Sequence, residues 1–145
     1  MKLNQISLFL ENKPGHLSGA CRTLADAGIN ILTLSLADTQ QFGILRLIVQ
    51  DWTAAKKVLE EAGYVVKLTE VVATEVEDRP GGLATILHTL EEAGVNIEYM
   101  YAFTFGAKDR AVMVFRFDQP DAAIQVLHKA DIHVLDSVEL FQRKC

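Results

Sequence analysis

The sequence predicts an α+β protein made of two ferredoxin-like βαββαβ units in tandem, each an antiparallel sheet with its helices on one face. Two observations carry this prediction. An internal repeat covers most of the chain, and the hydrophobic period changes in the same order within each copy. The length agrees, because 145 residues suffice for one ordinary domain or two very small ones.

The repeat is clearest around two proline-glycine pairs. Residues 12–31 align with residues 78–97 at an offset of 66, and nine of these twenty positions are identical. Unrelated sequences give about one identity over such a length. Further on the offset becomes 68, where residues 54–62 align with residues 122–130. The repeat therefore predicts two domains of about 70 residues each, with no flexible linker between them. Their predicted bounds are 1–70 and 71–145.

Each copy has the same predicted elements. Strands alternate apolar and polar residues, and helices carry apolar residues at i, i+3, i+4 and i+7. Gly28 and Gly94 take the usual place of glycine at the end of the first helix of each copy. The first copy has strands at 3–10, 29–38, 43–50 and 64–70 and helices around 17–24 and 55–62. The second has strands at 72–76, 95–105, 110–118 and 132–140, helices around 83–90 and 123–130, and a longer turn around 106–109.

The strands predict more burial than the helices alone can provide. In the third strand of each copy the second face is also apolar, with Ile44 and Ile48 in one copy and Val112 and Val114 in the other. We therefore expect this face to be partly buried against another sheet, and the protein to form a homodimer. In the second strands, Leu32, Leu34 and Leu36 have the opposite phase to the aromatic run from Tyr99 to Phe105. Either a bulge shifts one strand, or both faces are covered.

Composition excludes several classes of function. A net charge of −5 argues against nucleic-acid binding, and no apolar run reaches the roughly 20 residues that span a membrane. Cys21 and Cys145 form no disulfide framework, so we expect a soluble cytoplasmic protein. The sequence has no nucleophile-base pair, phosphate loop, metal cluster or nucleotide fingerprint. We expect neither an enzyme nor a cofactor or metal.

The segment [Asn/Asp]-[Lys/Arg]-Pro-Gly-x-Leu carries the chemistry. It follows a strand and opens a helix, where proline suits the first turn and glycine permits close approach to the backbone. The first N–H groups of a helix have no internal acceptor and attract anions. Asn30 and Asn96 begin the next strand and offer both a donor and an acceptor. A carboxylate seat near polar amides suits a free amino acid.

Both copies resemble ACT domains, the small βαββαβ modules that regulate amino-acid metabolism. Pro-Gly-x-Leu, a helix and Gly-[Ile/Val]-Asn-Ile occur in each copy, and the resemblance covers almost the whole chain. It implies that amino acids bind at interfaces between ACT domains, with the loop seating one end of the ligand and the asparagine of a neighbouring domain reaching it. The implied ligand-binding residues are Asn12, Gly15, His16, Leu17 and Asn30 in the first copy, and Asp78, Gly81, Gly82, Leu83 and Asn96 in the second.

Other interpretations stay open at the level of sequence. Asn12 and Asp78 could simply cap their helices, and Asn30 and Asn96 could only fix a bend. The protein could also be a ligand-free regulatory subunit that docks on a separate enzyme of amino-acid metabolism. Binding of RNA to the sheets is opposed by the acidic charge. Because Asn12 and His16 replace Asp78 and Gly82, we expect one dominant type of site, with the second loop slightly preferred.

Overall fold

The structure is a computed structural model that describes residues 2–39, 41–103 and 109–142. Its first copy contains β1 (Leu3–Glu11), α1 (His16–Asp26), β2 (Ile31–Thr39), β3 (Phe42–Val49) and α2 (Trp52–Glu61). There follow β4 (Val65–Glu77), α3 (Gly82–Glu92), β5 (Ile97–Ala102), β6 (Arg110–Phe117), α4 (Pro120–Lys129), β7 (Val134–Leu135) and α5 (Ser137–Gln142). By its contacts the chain divides into a first unit, Asn4–Thr69, and a second unit that contains the chain from Glu70 onward.

The strand order confirms the predicted fold class. In the first unit the order is β2-β3-β1, with β4 next to β1, and in the second it is β5-β6-β4, with β7 paired to β4. The pairings of β1 with β3, β2 with β3, β4 with β6 and β5 with β6 are antiparallel. The registers are also equivalent, because Leu8 pairs with Leu45 where Thr74 pairs with Met113. The two copies therefore share one backbone plan.

Each unit has its own hydrophobic core between the sheet and its two helices. In the first unit the inward residues of β1 and β3 meet one apolar stripe from each of α1 and α2. The buried members are Ile6, Leu8, Leu10, Ala20, Leu24, Leu45, Leu47, Val49, Ala55 and Leu59. The second core repeats this plan with Val72, Val76, Ile86, Leu90, Val95, Phe115, Phe117, Ala123, Leu127 and Val134.

The opposite phases of the two second strands do not come from a bulge in one of them. Both β2 and β5 shift register at the same place, between Ile31 and Thr33 and between Ile97 and Tyr99. After the shift, equivalent positions face the same way, and only the residue types differ. Leu34 and Leu36 pair with the core residues Leu47 and Leu45, so they lie on the helix side of the outer strand β2. They remain 44% and 50% exposed, because the buried core lies between the helices and the strands β1 and β3.

The second face of the third strands is partly buried, as predicted, and Ile44 is half-buried. Ile48, Val112 and Val114 are at most 2% exposed within the single chain. They therefore offer no free surface to a second copy, and any dimer has to use other residues. The aromatic run is half-buried at Tyr99 and Tyr101, and residues 104–108, with Phe105 and most of the predicted turn, lie outside the described residues.

The predicted last strand, 132–140, is wrong beyond Leu135. The chain pairs with β4 only at β7 and then turns into the short helix α5. A capping box starts this helix: the N–H of Glu139 donates to Asp136 Oδ1 at 2.8 Å, and the N–H of Asp136 donates to Glu139 Oε1 at 3.4 Å. None of the helices among the described residues could span a lipid bilayer.

Candidate ligand-binding site

The loop between β1 and α1 is set by its glycine. Gly15 precedes the helix with φ of 94°, and Gly81 precedes α3 with φ of 88°, a conformation that residues with a Cβ rarely adopt. The helices thus begin at His16 and Gly82. Each proline lies before the glycine, so the prediction that it occupies the first helical turn is wrong. The positive φ by itself therefore favours glycine at both positions.

The first N–H groups of α1 remain available. Neither α1 nor α3 has a side-chain cap, so Asn12 and Asp78 are not the caps that one interpretation made them. Their backbone N–H groups instead donate to Gln41 O at 2.8 Å and to Asp109 O at 2.7 Å, respectively. Among the described residues, the N–H groups of Leu17 and Ser18 have no acceptor. They lie at the positive end of the helix dipole.

A pocket of about 550 Å³ opens beside these two amides. Its apolar wall comes from Leu10, Leu17 and Leu36, and its rim carries the ion pair of Lys13 Nζ with Glu11 Oε2 at 3.1 Å. The hydrogen bond and charge of Lys13 lower the pKa of the Glu11 carboxyl. The lining residues are Leu10, Glu11, Asn12, Lys13, Pro14, Gly15, Leu17, Ser18, Leu36 and Gly43. We call this the leucine pocket.

The structure brings only some of the predicted residues together. Asn12, Gly15 and Leu17 line the leucine pocket, whereas Asn30 follows the other end of α1. That helix has 11 residues, which at about 1.5 Å per residue separates its ends by about 16 Å. Within one unit, Asn30 and the loop therefore cannot share a small ligand.

Asn96 has a structural role that its sequence position did not reveal. Its N–H donates to Asp118 Oδ1 at 3.0 Å, and its carbonyl accepts from the N–H of Asp118 at 3.1 Å. These two bonds join the start of β5 to the end of β6. This pairing is consistent with the interpretation that the residue fixes the bend between helix and strand, although its exposed side chain stays accessible.

A second pocket, of about 450 Å³, lies beside His16. The N–H of Glu11 donates to His16 Nδ1 at 3.2 Å, so the ring is held by its own loop and Nε2 carries the proton of the neutral ring. We call it the aromatic pocket. It is lined by Phe9, Glu11, Gly15, His16, Phe42, Ala62, Gly63, Tyr64 and Val65.

The second unit has a counterpart of the aromatic pocket, of about 390 Å³. Here Gly82 replaces His16, because a Cβ at this position would lie 2.0 Å from the carbonyl oxygen of Glu77. Gly82 is thus explained by packing, with or without a ligand. The pocket, which we call the charged pocket, is lined by Glu75, Glu77, Arg79, Gly82, Thr85, Arg110, Ala130, Asp131, Ile132 and His133. Among the described residues, no group of three or more His, Cys, Asp or Glu could hold a metal ion.

The comparison with sequence shows which lining residues were missed. Leu36 and Gly43 come from β2 and β3, far from the loop in sequence, and no local motif marks them. The only available signal was the unmatched phase of Leu34 and Leu36. Leu83, which aligns with Leu17, packs against the core of the second unit. Gly81 repeats the backbone of Gly15, and Asp78 is exposed.

Two compact βαββαβ units, each with a Pro-Gly loop between its first strand and its first helix, define a tandem pair of small α+β domains. A family model described as "ACT domain pair" matches residues 1–143, so the chain belongs to the ACT domain pair family. The crystal structure of protein BT0572 from Bacteroides thetaiotaomicron is similar with a TM-score of 0.91 and 38% identity, covering 97% of this chain and 96% of that one.

Two further similarities are more distant. The acetolactate synthase small subunit of Buchnera aphidicola subsp. Baizongia pistaciae (strain Bp) is 35% identical over 80 residues, which cover 54% of this chain and 50% of that protein. The chain thus spans about half the length of this curated relative. The regulatory subunit of aspartate kinase from Thermus thermophilus, in its ligand-free form, has a TM-score of 0.64 at 20% identity and covers 88% of this chain and 91% of that one, which shows the fold alone.

Proposed function

We propose that this protein is a non-catalytic sensor that binds a free amino acid in the leucine pocket. The observation that carries the proposal is the combination of the two available amides of Leu17 and Ser18 with a leucine-lined cavity of about 550 Å³. A carboxylate fits the amides, because backbone donors and the helix dipole both favour an anion there. An aliphatic side chain fits the leucines.

The polar rim supplies a partner for the ammonium group. Glu11 and Asn12 line the same pocket as the amides, and a charged carboxylate makes a stronger hydrogen bond to ammonium than a neutral amide does. Lys13 keeps Glu11 ionised, since it lowers the pKa of that carboxyl. The sequence-based preference for the second loop, with Asp78, stays a prediction.

Thermal melting with each of the twenty amino acids tests the proposal. Stabilisation follows mass action and reaches about 2.7 kcal/mol at a hundredfold excess of ligand over Kd. Leu17→Glu places a second carboxylate in the pocket, so we expect binding to fall at least about tenfold through repulsion and lost apolar contact. Leu34→Glu is the matched control, because Leu34 is 44% exposed and does not line the pocket. Equal binding by both variants contradicts this site.

A ligand-free regulatory subunit is the second candidate. The names of two similar proteins support it: one is the small subunit of an acetolactate synthase, and the other is the regulatory subunit of an aspartate kinase. In this case an enzyme of amino-acid metabolism is the partner. No amino acid then raises the melting temperature, while the purified chain changes the activity of an enzyme encoded nearby.

We also propose a homodimer, as the sequence suggested, but with a different surface. Phe9, Phe42 and Val65 line the aromatic pocket and are 46%, 52% and 65% exposed. Large apolar side chains grouped on a surface are typical of interfaces. Light scattering tests this, and a monomer at all micromolar concentrations contradicts it.

A further inference from the structure

Leu36 and Gly43 together form the floor of the leucine pocket. Leu36 of β2 and Gly43 of β3 both line the cavity, and Gly43 is buried while Leu36 is 50% exposed. A Cβ on Gly43 would lie 3.3 Å from Leu36 Cδ1 and 3.5 Å from the carbonyl oxygen of Ala37. The end of the leucine side chain therefore lies over the glycine backbone, where an added Cβ would be in tight contact with it.

The second unit has a different pair at this place. Ala102 and Ala111 align with Leu36 and Gly43, and the strand registers agree, since Ala102 pairs with Met113 where Leu36 pairs with Leu45. Leucine over glycine in one unit thus corresponds to alanine beside alanine in the other. The long side chain of Leu36 thus lies beside a residue that has no side chain, as expected if the two positions together fill one volume.

We propose that Leu36, supported by Gly43, determines the length of the amino-acid side chain that the leucine pocket accepts. This inference rests on the proposed amino-acid binding. The carboxylate end of the ligand is fixed by the amides of Leu17 and Ser18, so the side chain can extend only along the leucines. Shortening Leu36 to alanine removes three carbon atoms from the far wall and leaves room for a longer ligand. A methyl group on Gly43 pushes Leu36 toward the ligand, and leaves less room.

Calorimetry with alanine, valine, leucine, methionine and phenylalanine tests this directly. For Leu36→Ala we expect the ratio of affinities to move toward the longer side chains by about tenfold, since two buried CH₂ groups have about this effect. Gly43→Ala should move the ratio toward the shorter side chains. The double variant Leu36→Ala/Gly43→Ala reproduces the floor of the second unit and should again accept long side chains.

Leu34→Ala is the matched control. Leu34 lies two residues from Leu36 on the same face of β2, is similarly exposed, and does not line the pocket. The ratio of the affinities of Leu34→Ala for long and short side chains should equal that of the wild type. Melting temperatures identify any variant that loses its fold, and the exposed Leu36 makes Leu36→Ala the safest of the set.

The outcomes separate this inference from the proposal on which it rests. If the wild type binds one of the twenty amino acids, but Leu36→Ala keeps the same ranking, this inference is wrong and the proposed function stands. If Leu34→Ala changes the ranking as much as Leu36→Ala, the floor has no special role and the inference is again wrong. If the wild type binds none of the twenty, both fail.

Discussion

The aromatic pocket of the first unit and the charged pocket of the second are formed by equivalent positions of the repeat, yet their chemistry differs. Phe9 corresponds to Glu75, Phe42 to Arg110 and Val65 to His133. In the charged pocket the ions pair with each other: Arg110 Nη1 lies 3.7 Å from Glu75 Oε2, and Arg79 pairs with Glu77. In the aromatic pocket the apolar side chains remain about half exposed.

The backbone of the repeat and the chemistry of its surface are therefore specified by different residues. In both units the same turn precedes the helix, with the N–H of Lys13 donating to Glu11 O and that of Arg79 donating to Glu77 O, each at 2.9 Å. These main-chain bonds and the glycine with positive φ do not depend on the pocket side chains. The side chains are therefore free to differ, and three sets of substitutions test how far.

The largest effect is expected at Gly82, where the second unit has no room for a side chain. Gly82→Ala places a Cβ 2.0 Å from the carbonyl oxygen of Glu77, so the loop has to move, and we expect a loss of about 3 kcal/mol or more. At the equivalent position of the first unit, His16→Gly removes the hydrogen bond from the N–H of Glu11 and adds a flexible residue. We expect it to lower the free energy of unfolding by about 1–2 kcal/mol. Urea denaturation measures both. Equal losses contradict the close approach of Glu77.

An intermediate effect is expected when the aromatic pocket receives the charges of its counterpart. Phe9→Glu/Phe42→Arg introduces the pair found at Glu75 and Arg110 and removes two half-exposed rings. We expect light scattering to show a monomer in place of a dimer, while the free energy of unfolding of the monomer changes by about 0.5 kcal/mol or less. Val138→Glu, at another exposed apolar position, should leave the dimer intact. A dimer that survives the double change has its interface elsewhere.

The smallest effect is on folding stability alone and concerns the core. Thr74 occupies the place that Leu8 has in the first unit, and among the described residues its buried hydroxyl has no hydrogen-bond partner. Thr74→Val should therefore stabilise the protein by about 1 kcal/mol, since an unpaired buried hydroxyl is unfavourable. Ser7 is buried too, but its hydroxyl accepts from Gln5 Nε2 at 3.1 Å, so Ser7→Ala should destabilise by a similar amount. Thermal unfolding of the two variants in parallel shows whether each change raises or lowers the stability of the protein.

The prediction of the last strand failed for a local reason. Val134 and Leu135 do pair with β4, and the alternation of residues around them predicted a strand through 140. Asp136 and Glu139 carry the Asp-x-x-Glu pattern of a capping box, which starts a helix at Ser137. The pattern was visible in the sequence, and the capping hydrogen bonds outweighed the alternation of apolar residues.

Sequence analysis alone sufficed for the repeat, the order of the elements as far as β7, the fold class and the family. These features depend on periodicity and on short motifs, which act between residues close together in the chain. The tertiary structure alone decided which apolar residues stay exposed and what they form. Leu36 lies over Gly43, and Phe9 lines one pocket with Phe42, although the two members of each pair come from different strands. Such neighbours come from separate strands, and the hydrophobicity of a residue alone does not reveal whether the helices cover it.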